Sequence, residues 1–373
     1  MKFARILCLL LAAVLLFSGC GKAAPSEETT AEDTTEKATE AATTAESEPE
    51  PETGEPEFTH PLTGLSCEKD LTGKRPVSIM VNNIAASLPQ VGVSQADILY
   101  ECLAEGGITR LMAIITDYES IGKIGSVRSA RDYYVDFAEG YDCIFVHAGG
   151  SDDAYSVLAN RRINNIDGVR GPAYLYNGTG TFQRDPERLQ KFSYEHTLVI
   201  QNGAGIKNAV EYYNYRTETK EDYASPLHFA PWGETVTGEE KAETVSLEMS
   251  SYQHVRYEYD ADAGVYLRFQ YGNMPHMDSA TDKQLAFTNV LLLGADWGNI
   301  PGDDKGRIWM QTTGSGSGYY ITAGTVLPIT WEKATHDGVM HYKTADGKEL
   351  ELNRGKTMIN MVPSPNMKSI VWE

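Results

Sequence analysis

The hydrophobic pattern of the chain changes near residue 235, and this change constrains the fold more than any other feature. Between residues 76 and 215, apolar runs such as Val77–Asn83 alternate with segments of helical spacing, a pattern typical of a sheet covered by helices. After Gly233, short alternating runs are separated by turns such as DADAG, as in antiparallel strands. The sequence therefore predicts an α+β protein, with an α/β domain and mixed sheet over residues 59–235 and a β-rich domain over 236–373.

Individual elements of the α/β domain follow from the same patterns. Strands are predicted at Val77–Asn83, Thr109–Tyr118, Cys143–Gly150 and His196–Ile200, helices at Ala130–Tyr141, Ser151–Arg162 and Gly205–Tyr215, and either type at Ala96–Gly107. In the β-rich domain, the glycine-rich TTGSGSGYY (Thr312–Tyr320) is interpreted as a long hairpin turn.

The first twenty residues predict export and lipid attachment. Lys2 and Arg5 precede the apolar run Ile6–Phe17, which is too short to span a bilayer, since that requires about 20 residues. The run is followed by Ser-Gly-Cys, which resembles a bacterial lipobox. Residues 1–20 would then be a lipoprotein signal peptide, with Cys20 the lipidated first residue of the mature protein. An ordinary signal peptide with a chance cysteine is the alternative.

Residues 21–58 are predicted to be a disordered acidic tether. The segment contains twelve Asp and Glu against Lys22 and Lys37, and its first aromatic residue is Phe58. Such a composition buries too little apolar surface to offset the entropy of ordering. Half of the formal net charge of −20 lies here, so the folded part is only moderately acidic. It has no basic stripe, and we expect no nucleic-acid partner.

Cysteine and histidine usage gives no metal or cofactor site. The mature chain would retain Cys67, Cys102 and Cys143 besides the lipidated residue, with no CxxC pair. Buried free thiols at Cys102 and Cys143, or a disulfide between them in an exported protein, both remain open. The eight histidines are dispersed without ligand spacing, and no cofactor is predicted.

The candidate site lies in GKIGSVRSARDYYVDF, residues 122–137. Arg128, Ser129 and Arg131 surround the start of a helix predicted to begin near Ala130, and Arg110 lies upstream in EGGITR. Free amides and the dipole at a helix N-terminus favour an anion, and arginine side chains match phosphate and carboxylate groups. We therefore predict that these residues bind an anionic ligand.

A structural role is the alternative to anion binding for this cluster. Ser126 or Ser129 would cap the helix, and the arginines would form structural ion pairs with Asp132, Asp136 or Asp97. An anion site and a structural network are both compatible with the sequence.

Further polar residues are predicted to line the same site. His147 and Ser151 lie in HAGGSDD, where a strand ends and a helix begins, and His196 opens a later strand. His147 and Ser151 could act as base and nucleophile, but the sequence lacks the G-x-S-x-G motif, so a capping serine is the simpler interpretation. His196 either completes the site or merely begins its strand.

Several motifs are similar to those of a known family. RPVSIMVNN, EGGITRLMAI, IGSVRSARDYY and FVHAGGSDDA occur in the same order in YerB-like lipoproteins of Gram-positive bacteria, a family of unknown function. The similarity continues through YEYDADAGVYLRF and GSGSGYYITAGTVLPITWEK, and covers the chain from about residue 60 to its end. It implies two domains behind a lipoprotein signal and no established activity. The segment from Asn165 through Tyr174 to Gly180 matches only loosely, and no role is transferred there.

A fainter resemblance is to the LytR-CpsA-Psr phosphotransferases, which attach anionic glycopolymers to peptidoglycan and bind a polyprenyl pyrophosphate through arginines. Their Arg-x-Asp motif is replaced here by Gln95-Ala96-Asp97, and their Pro-Arg-Asp motif is only partly matched by Ala130-Arg131-Asp132. An expected arginine is therefore absent.

These observations predict a lipid-anchored protein on the extracytoplasmic face of the cell membrane. It would bind an anionic ligand of the cell envelope, such as a phosphate- or carboxylate-bearing polymer or a lipid-linked precursor. One alternative is an envelope phosphotransferase or hydrolase acting at the same site, although no catalytic residue is assigned. The other is a non-catalytic scaffold that binds another envelope protein.

Overall fold

The computed structural model describes residues 56–373. The predicted signal peptide with Cys20, and the predicted tether up to residue 55, lie outside the described residues. Within the described part, none of the helices has the length and apolar character needed to cross a membrane.

The first half of the described chain alternates strands with helices, and most of its predicted elements are found. Its strands β1–β8 are Val77–Asn82, Ile98–Leu103, Thr109–Ile115, Ile124–Gly125, Ile144–His147, Asn165–Asp167, Phe182–Arg184 and Leu198–Ile200. Its helices α1–α5 are Asp132–Glu139, Asp152–Asn160, Tyr174–Asn177, Pro186–Lys191 and Gly203–Tyr212. The ambiguous segment Ala96–Gly107 contains a strand, β2.

The second half contains strands and, apart from a short 3₁₀ segment, no helix among the described residues. Strands β9–β17 are His228–Phe229, Glu240–Lys241, Thr244–Glu248, His254–Asp260, Val265–Gln270, Met274–Pro275, Met277–Asp278, Lys283–Gln284 and Ala286–Phe287. Strands β18–β26 are Asn289–Ala295, Trp297–Asn299, Ile308–Met310, Gly314–Thr322, Thr325–Lys333, His341–Thr344, Glu351–Leu352, Thr357–Pro363 and Val371–Trp372.

One large mixed sheet contains strands from both halves. Its order is β10-β22-β21-β18-β25-β2-β3-β1-β5-β6, with β23 paired to β22. The late strand β25 lies between β18 and β2 and runs parallel to both. A second sheet has the order β14-β13-β12-β11-β26, with β17 paired to β13. The predicted α+β class, with a mixed sheet followed by a β-rich half, is confirmed.

Strands β1, β2 and β3 are near-continuous apolar runs because both faces of the sheet are covered. Every residue in these three strands is buried. Helix α1 packs on one face, where the Tyr133 hydroxyl donates to Leu103 O at 2.7 Å and the Tyr134 hydroxyl to Arg110 O at 2.5 Å. A buried run of this kind is typical of an internal strand, whereas exposure of one face would produce alternation.

The glycine-rich segment predicted to be a hairpin turn is instead strand β21, so that prediction is wrong. Its glycines allow other groups to approach the strand closely. A Cβ at Gly316 would lie 2.6 Å from Gly294 O, and one at Gly318 would lie 2.6 Å from Leu292 O. The buried Trp331 ring packs over Gly316 and donates its Nε1–H to Gly294 O at 2.9 Å. Glycine therefore serves packing here rather than a turn.

Cys102 and Cys143 are both buried free thiols. Cys102 lies on β2 and Cys143 precedes β5, and the sheet order β2-β3-β1-β5 separates them by three strand spacings. That separation is about 14 Å, whereas a disulfide requires Cα atoms within about 7 Å. The sheet therefore excludes a bond between them.

A buried ion pair joins the two sheets. Arg268 on β13 and Glu101 on β2 are fully buried, and Arg268 Nη2 lies 2.6 Å from Glu101 Oε2. The carboxylate also accepts from Thr109 Oγ1 at 2.7 Å, from Gln253 Nε2 at 2.9 Å and from Asn360 Nδ2 at 2.7 Å. Each charge is thus neutralised or hydrogen-bonded, as burial of charge demands.

We expect Arg268→Met to lower the free energy of unfolding by about 3–5 kcal/mol, because it leaves the Glu101 carboxylate buried without its counter-ion. Urea unfolding at pH 7 measures the change. The double variant Glu101→Gln/Arg268→Met removes both charges and should recover part of the loss. Lys348→Met, at a solvent-exposed ion pair with Asp346, is the control and should change stability little. Equal stabilities of Arg268→Met and the control would contradict the prediction.

Candidate anion-binding site

The segment Val127–Ala130 lies at the carboxyl ends of β1 and β5. Arg128 N donates to Met80 O of β1 at 3.0 Å, and Ala148 N, just after β5, donates to Arg128 O at 3.0 Å. Val127 N donates to Leu198 O of β8 at 2.7 Å. Strands β1 and β5 are parallel, and the carboxyl ends of parallel strands are where α/β sheets place ligands. The backbone of the candidate motif is therefore fixed at this edge.

A cavity of about 400 Å³ opens beside this segment, and we call it the arginine pocket. One side is formed by the small sheet β4-β8-β7, which contributes Arg184 and Leu198, and another by the loop after β5. The lining residues are Val127, Arg128, Ser129, Ala148, Gly149, Gly150, Tyr155, Val169, Arg170, Arg184, Tyr194, Glu195 and Leu198.

Three arginines of the pocket lack carboxylate partners. Arg128 Nη1 donates to Glu195 O at 3.2 Å, Arg184 Nη1 donates to Tyr194 O at 2.7 Å, and Arg128 Nε is buried without a hydrogen-bond partner. The guanidinium of Arg184 lies 4.0 Å from the centre of the Tyr194 ring, and that of Arg170 lies 3.5 Å from the centre of the Tyr155 ring. Within residues 56–373, none of the three forms an ion pair. Stacking holds the guanidinium planes and leaves N–H groups free to donate.

Arg110 and Arg131 lie outside the pocket lining and share one carboxylate. Arg110 Nη2 lies 2.6 Å from Glu105 Oε1, while Arg131 contacts both Glu105 oxygens, at 2.5 and 3.1 Å. Burial and the neighbouring Arg131 lower the pKa of Arg110 to about 10. Burial alone would raise the pKa of Glu105, but the two arginines hold it below its usual value. The partner of these arginines is Glu105, not Asp132, Asp136 or Asp97 as the structural alternative expected.

The helix after the motif begins at Asp132, with Arg131 at the N-cap position and no side chain capping it. The expectation that Ser126 or Ser129 caps this helix is therefore wrong. Ser126 is buried and its hydroxyl has no hydrogen-bond partner, whereas Ser129 lines the arginine pocket. Ser129 also accepts a hydrogen bond at its carbonyl from Arg110 Nη1, at 3.0 Å.

His147 and Ser151 have structural partners and do not line the pocket. His147 is buried, with Nδ1 2.8 Å from Gly149 O and Nε2 3.2 Å from Asn165 Oδ1. Ser151 caps α2, because its Oγ accepts from Ala154 N at 3.1 Å. Ser151 is therefore the capping serine that the simpler interpretation predicted.

His196 is absent from the pocket lining and lies in a 3₁₀ turn at Tyr194–His196, so its predicted position at the start of a strand is wrong. The amide nitrogen Nδ2 of Asn82 lies 3.0 Å from His196 Nδ1, which must accept because an amide nitrogen only donates. Burial and then the nearby Arg128 lower the pKa of His196. His196 is therefore neutral at pH 7 and adds no positive charge to the site.

Asp167 positions the loops that carry the pocket lining. Its carboxylate accepts from Gly149 N at 2.9 Å, from Val169 N at 2.8 Å and from the Tyr155 hydroxyl at 2.7 Å. Burial would raise the pKa of Asp167, but His147 and these donors hold it below the usual value. One carboxylate thus fixes the loop after β5, the loop after β6 and the tyrosine that stacks on Arg170.

Sequence reasoning found Arg128 and Ser129 but missed Asp167, Arg170 and Arg184. The missed residues lie in or just after the segment that matches the family motifs only loosely. The sequence feature that could have indicated Arg170 and Arg184 is their position in DGVRG and FQRDPER, near tyrosines and glycines. Among residues 56–373, no group of three His, Cys, Asp or Glu side chains is arranged to hold a metal ion.

The fold is that of a two-part protein whose α/β and β-rich halves contribute strands to one sheet. Residues 62–215 match the family described as "Protein of unknown function (DUF3048) N-terminal domain", and residues 245–359 match the corresponding C-terminal domain.

A relative from Bacillus subtilis (strain 168), named "Putative lipoprotein YerB", is 33% identical over 311 residues, covering 83% of this chain and 88% of that protein. The crystal structure of the YerB protein from Bacillus subtilis is similar with a TM-score of 0.70 and 30% identity, covering 84% of this chain and 99% of that one. The chain therefore belongs to the YerB family, whose two domains are described as of unknown function, which confirms the resemblance seen in its motifs. The relationship supports membrane anchoring.

We expect Asp167→Asn to lower the free energy of unfolding at pH 7 by about 1.5–3 kcal/mol, since hydrogen bonds to a charged acceptor are weakened. Because the folded protein lowers the pKa of Asp167, its charge stabilises the fold above the unfolded pKa of about 3.9, and this contribution disappears as pH falls through the folded pKa. The difference between variant and wild type should therefore shrink below pH 4.

Urea unfolding at pH 7, 5, 4 and 3 measures this difference. Asp304→Asn, at an exposed loop position, is the matched control and should follow the wild type throughout. A wild-type advantage over Asp167→Asn that stays constant down to pH 3 would contradict the assigned role of the charge.

Proposed function

We propose that the arginine pocket binds an anionic ligand of the cell envelope, a polymer or lipid-linked precursor bearing phosphate or carboxylate groups. The observation that carries this proposal is the set of Arg128, Arg170 and Arg184 around one cavity without carboxylate partners among the described residues. The chain has 52 Asp and Glu against 32 Lys and Arg, so carboxylates are plentiful elsewhere.

Electrostatics supports an anion at this position. Burial lowers the pKa of Arg128; Glu105 and Glu195 partly offset this, and the neighbouring Arg131 and Arg184 lower the pKa further. These positive charges repel one another, and a bound phosphate or carboxylate would relieve the repulsion while accepting the free N–H groups. Glu195 is the one carboxylate of the lining and its side chain is 57% exposed, which leaves a net positive pocket.

We propose binding rather than catalysis, because the residues expected to supply a base and a nucleophile are engaged elsewhere. His147 contacts Gly149 O and Asn165, and Ser151 caps α2. Two alternatives were a phosphotransferase or hydrolase and a scaffold that binds another envelope protein. Neither is supported by a contact as specific as the grouping of the three arginines around one cavity.

The cellular setting follows from the proposed anchor. Attachment through a lipidated Cys20 would hold the folded part at the extracytoplasmic face of the membrane, where anionic polymers and their lipid-linked precursors occur. The 33% identical relative named "Putative lipoprotein YerB" supports the attachment to a membrane.

We expect Arg128→Ala and Arg184→Ala each to weaken binding of an anionic polymer about tenfold or more, because each removes a charge-assisted hydrogen bond of about 1.5–3 kcal/mol. Isothermal titration calorimetry of the full chain in detergent, with poly(glycerol phosphate) and with polygalacturonate as probes, measures the affinity. Lys305→Ala removes one exposed charge outside the pocket and should bind as the wild type does. The proposal fails when neither polymer binds, or when the three variants bind equally.

We expect Cys20→Ser to abolish lipid labelling and to move the protein from the membrane fraction to the soluble fraction, since the lipid chains supply the membrane affinity. Metabolic labelling with radioactive palmitate and fractionation of the cells measure both effects. Cys67→Ser is the control and should remain labelled and membrane-bound. Unchanged labelling of Cys20→Ser would exclude Cys20 as the lipidated residue.

A further inference from the structure

We propose that Tyr174, Tyr212 and Tyr213, the tyrosine platform, form a sugar-binding subsite beside the arginine pocket. The ligand would then be an anionic glycan, a polymer in which sugars accompany the anionic groups. This inference rests on the proposed function, because the anion in the arginine pocket anchors the same ligand.

The platform is a cluster of three contacting tyrosine rings, with Tyr174 and Tyr212 tilted by 35° and Tyr212 and Tyr213 edge to face at 72°. The ring centres of Tyr174 and Tyr212 are 4.9 Å apart, and those of Tyr212 and Tyr213 are 5.1 Å apart. Tyr174 is 50% exposed and Tyr212 is 51% exposed. Exposed aromatic surface of this extent has no role in the core of the fold, and contiguous apolar surface at a protein exterior marks interaction sites.

The rings are held in place although they are exposed. The Tyr174 ring packs directly over Gly178, where any Cβ would overlap it. Tyr213 stacks on Tyr215 at 5.1 Å with an interplanar angle of 12°, and the Tyr215 hydroxyl donates to Asn165 O of β6 at 2.9 Å. Side chains fixed in this way lose little further entropy when a ligand binds.

The chemistry of the platform favours a sugar over an alkyl chain. Within residues 56–373, the hydroxyls of Tyr174, Tyr212 and Tyr213 have no hydrogen-bond partner, and each is carried on a ring that presents an apolar surface. A pyranose has an apolar face of C–H groups and a rim of hydroxyls, so it matches both parts of a tyrosine side chain. A lipid chain would leave the hydroxyls unpaired.

The platform and the pocket are near each other along the chain. Tyr174 follows the pocket residue Arg170 by four positions, so their backbones are at most about 14 Å apart. The intervening turn is held to the pocket loop because the Tyr176 hydroxyl donates to Gly168 O at 2.5 Å. A short oligosaccharide unit can therefore join an anion at the arginines to a sugar on the tyrosines.

The test compares two polymers by calorimetry with the full chain in detergent: poly(glycerol phosphate), which lacks sugars, and poly(N-acetylglucosamine 1-phosphate). We expect the wild type to bind the sugar-bearing polymer about tenfold more tightly. Tyr174→Ala and Tyr212→Ala should abolish this preference while leaving poly(glycerol phosphate) affinity unchanged, which also shows that the variants are folded. Tyr252→Ala, at a tyrosine 64% exposed elsewhere, should retain the preference.

The outcomes separate the two proposals. Binding of both polymers with equal affinity, reduced by Arg128→Ala, would overturn the sugar subsite and leave the anion site standing. A sugar preference that survives both tyrosine substitutions would overturn the platform as its origin. Absence of binding by either polymer, or binding that Arg128→Ala leaves unchanged, would overturn the proposed function and the subsite with it.

Discussion

The buried ion pair between Glu101 and Arg268 is the contact on which the relation between the two halves of the chain depends. It lies where β2 of the large sheet faces β13 of the second sheet, and neither side chain is exposed. Removing two charges from water costs several kcal/mol per ion, and only near-complete hydrogen bonding offsets that cost. The Glu101 carboxylate accepts hydrogen bonds from Thr109, Gln253 and Asn360, which come from distant parts of the sequence. Any shift of β2 or β25 would leave a buried charge unpaired, so the pair specifies one register.

The arginine pocket depends on this fixed sheet. Strand β3 lies between β2 and β1, and β1 in turn lies beside β5, so the register of β2 propagates to the edge where Arg128 is held by Met80 O. The pocket itself is completed by local contacts, above all those of Asp167 with Gly149 N and the Tyr155 hydroxyl. A rigid sheet thus carries loops whose positions are set by a single carboxylate, an arrangement suited to binding without rearrangement.

Much of the fold could be predicted from the sequence, because internal strands and capped helices leave local patterns. The buried run Val77–Asn82 and the serine cap of α2 are examples. The insertion of β25 between β18 and β2 could not be predicted, since pairing over more than 250 residues leaves no local signal. At the site, the sequence motif identified Arg128. The contact of Glu105 with Arg110 and Arg131 could not be predicted, because the position of Glu105 depends on how a glycine-rich turn folds back.

The contrast between the two groups of arginines is therefore the most informative feature of the site. Arg110 and Arg131 are neutralised in part by Glu105 and stabilise the strand end and helix start that carry them. Arg128, Arg170 and Arg184 converge on a cavity in a folded part that is moderately acidic, since half of the chain's formal net charge of −20 lies in the predicted tether. An acidic surface repels polyanions over a Debye length of about 8 Å at physiological salt, so attraction of a polyanion would be confined to the place where the three arginines meet. In the proposed function, this acidity would disfavour diffuse binding of an anionic polymer and leave the arginine pocket as the position at which the polymer gains contacts.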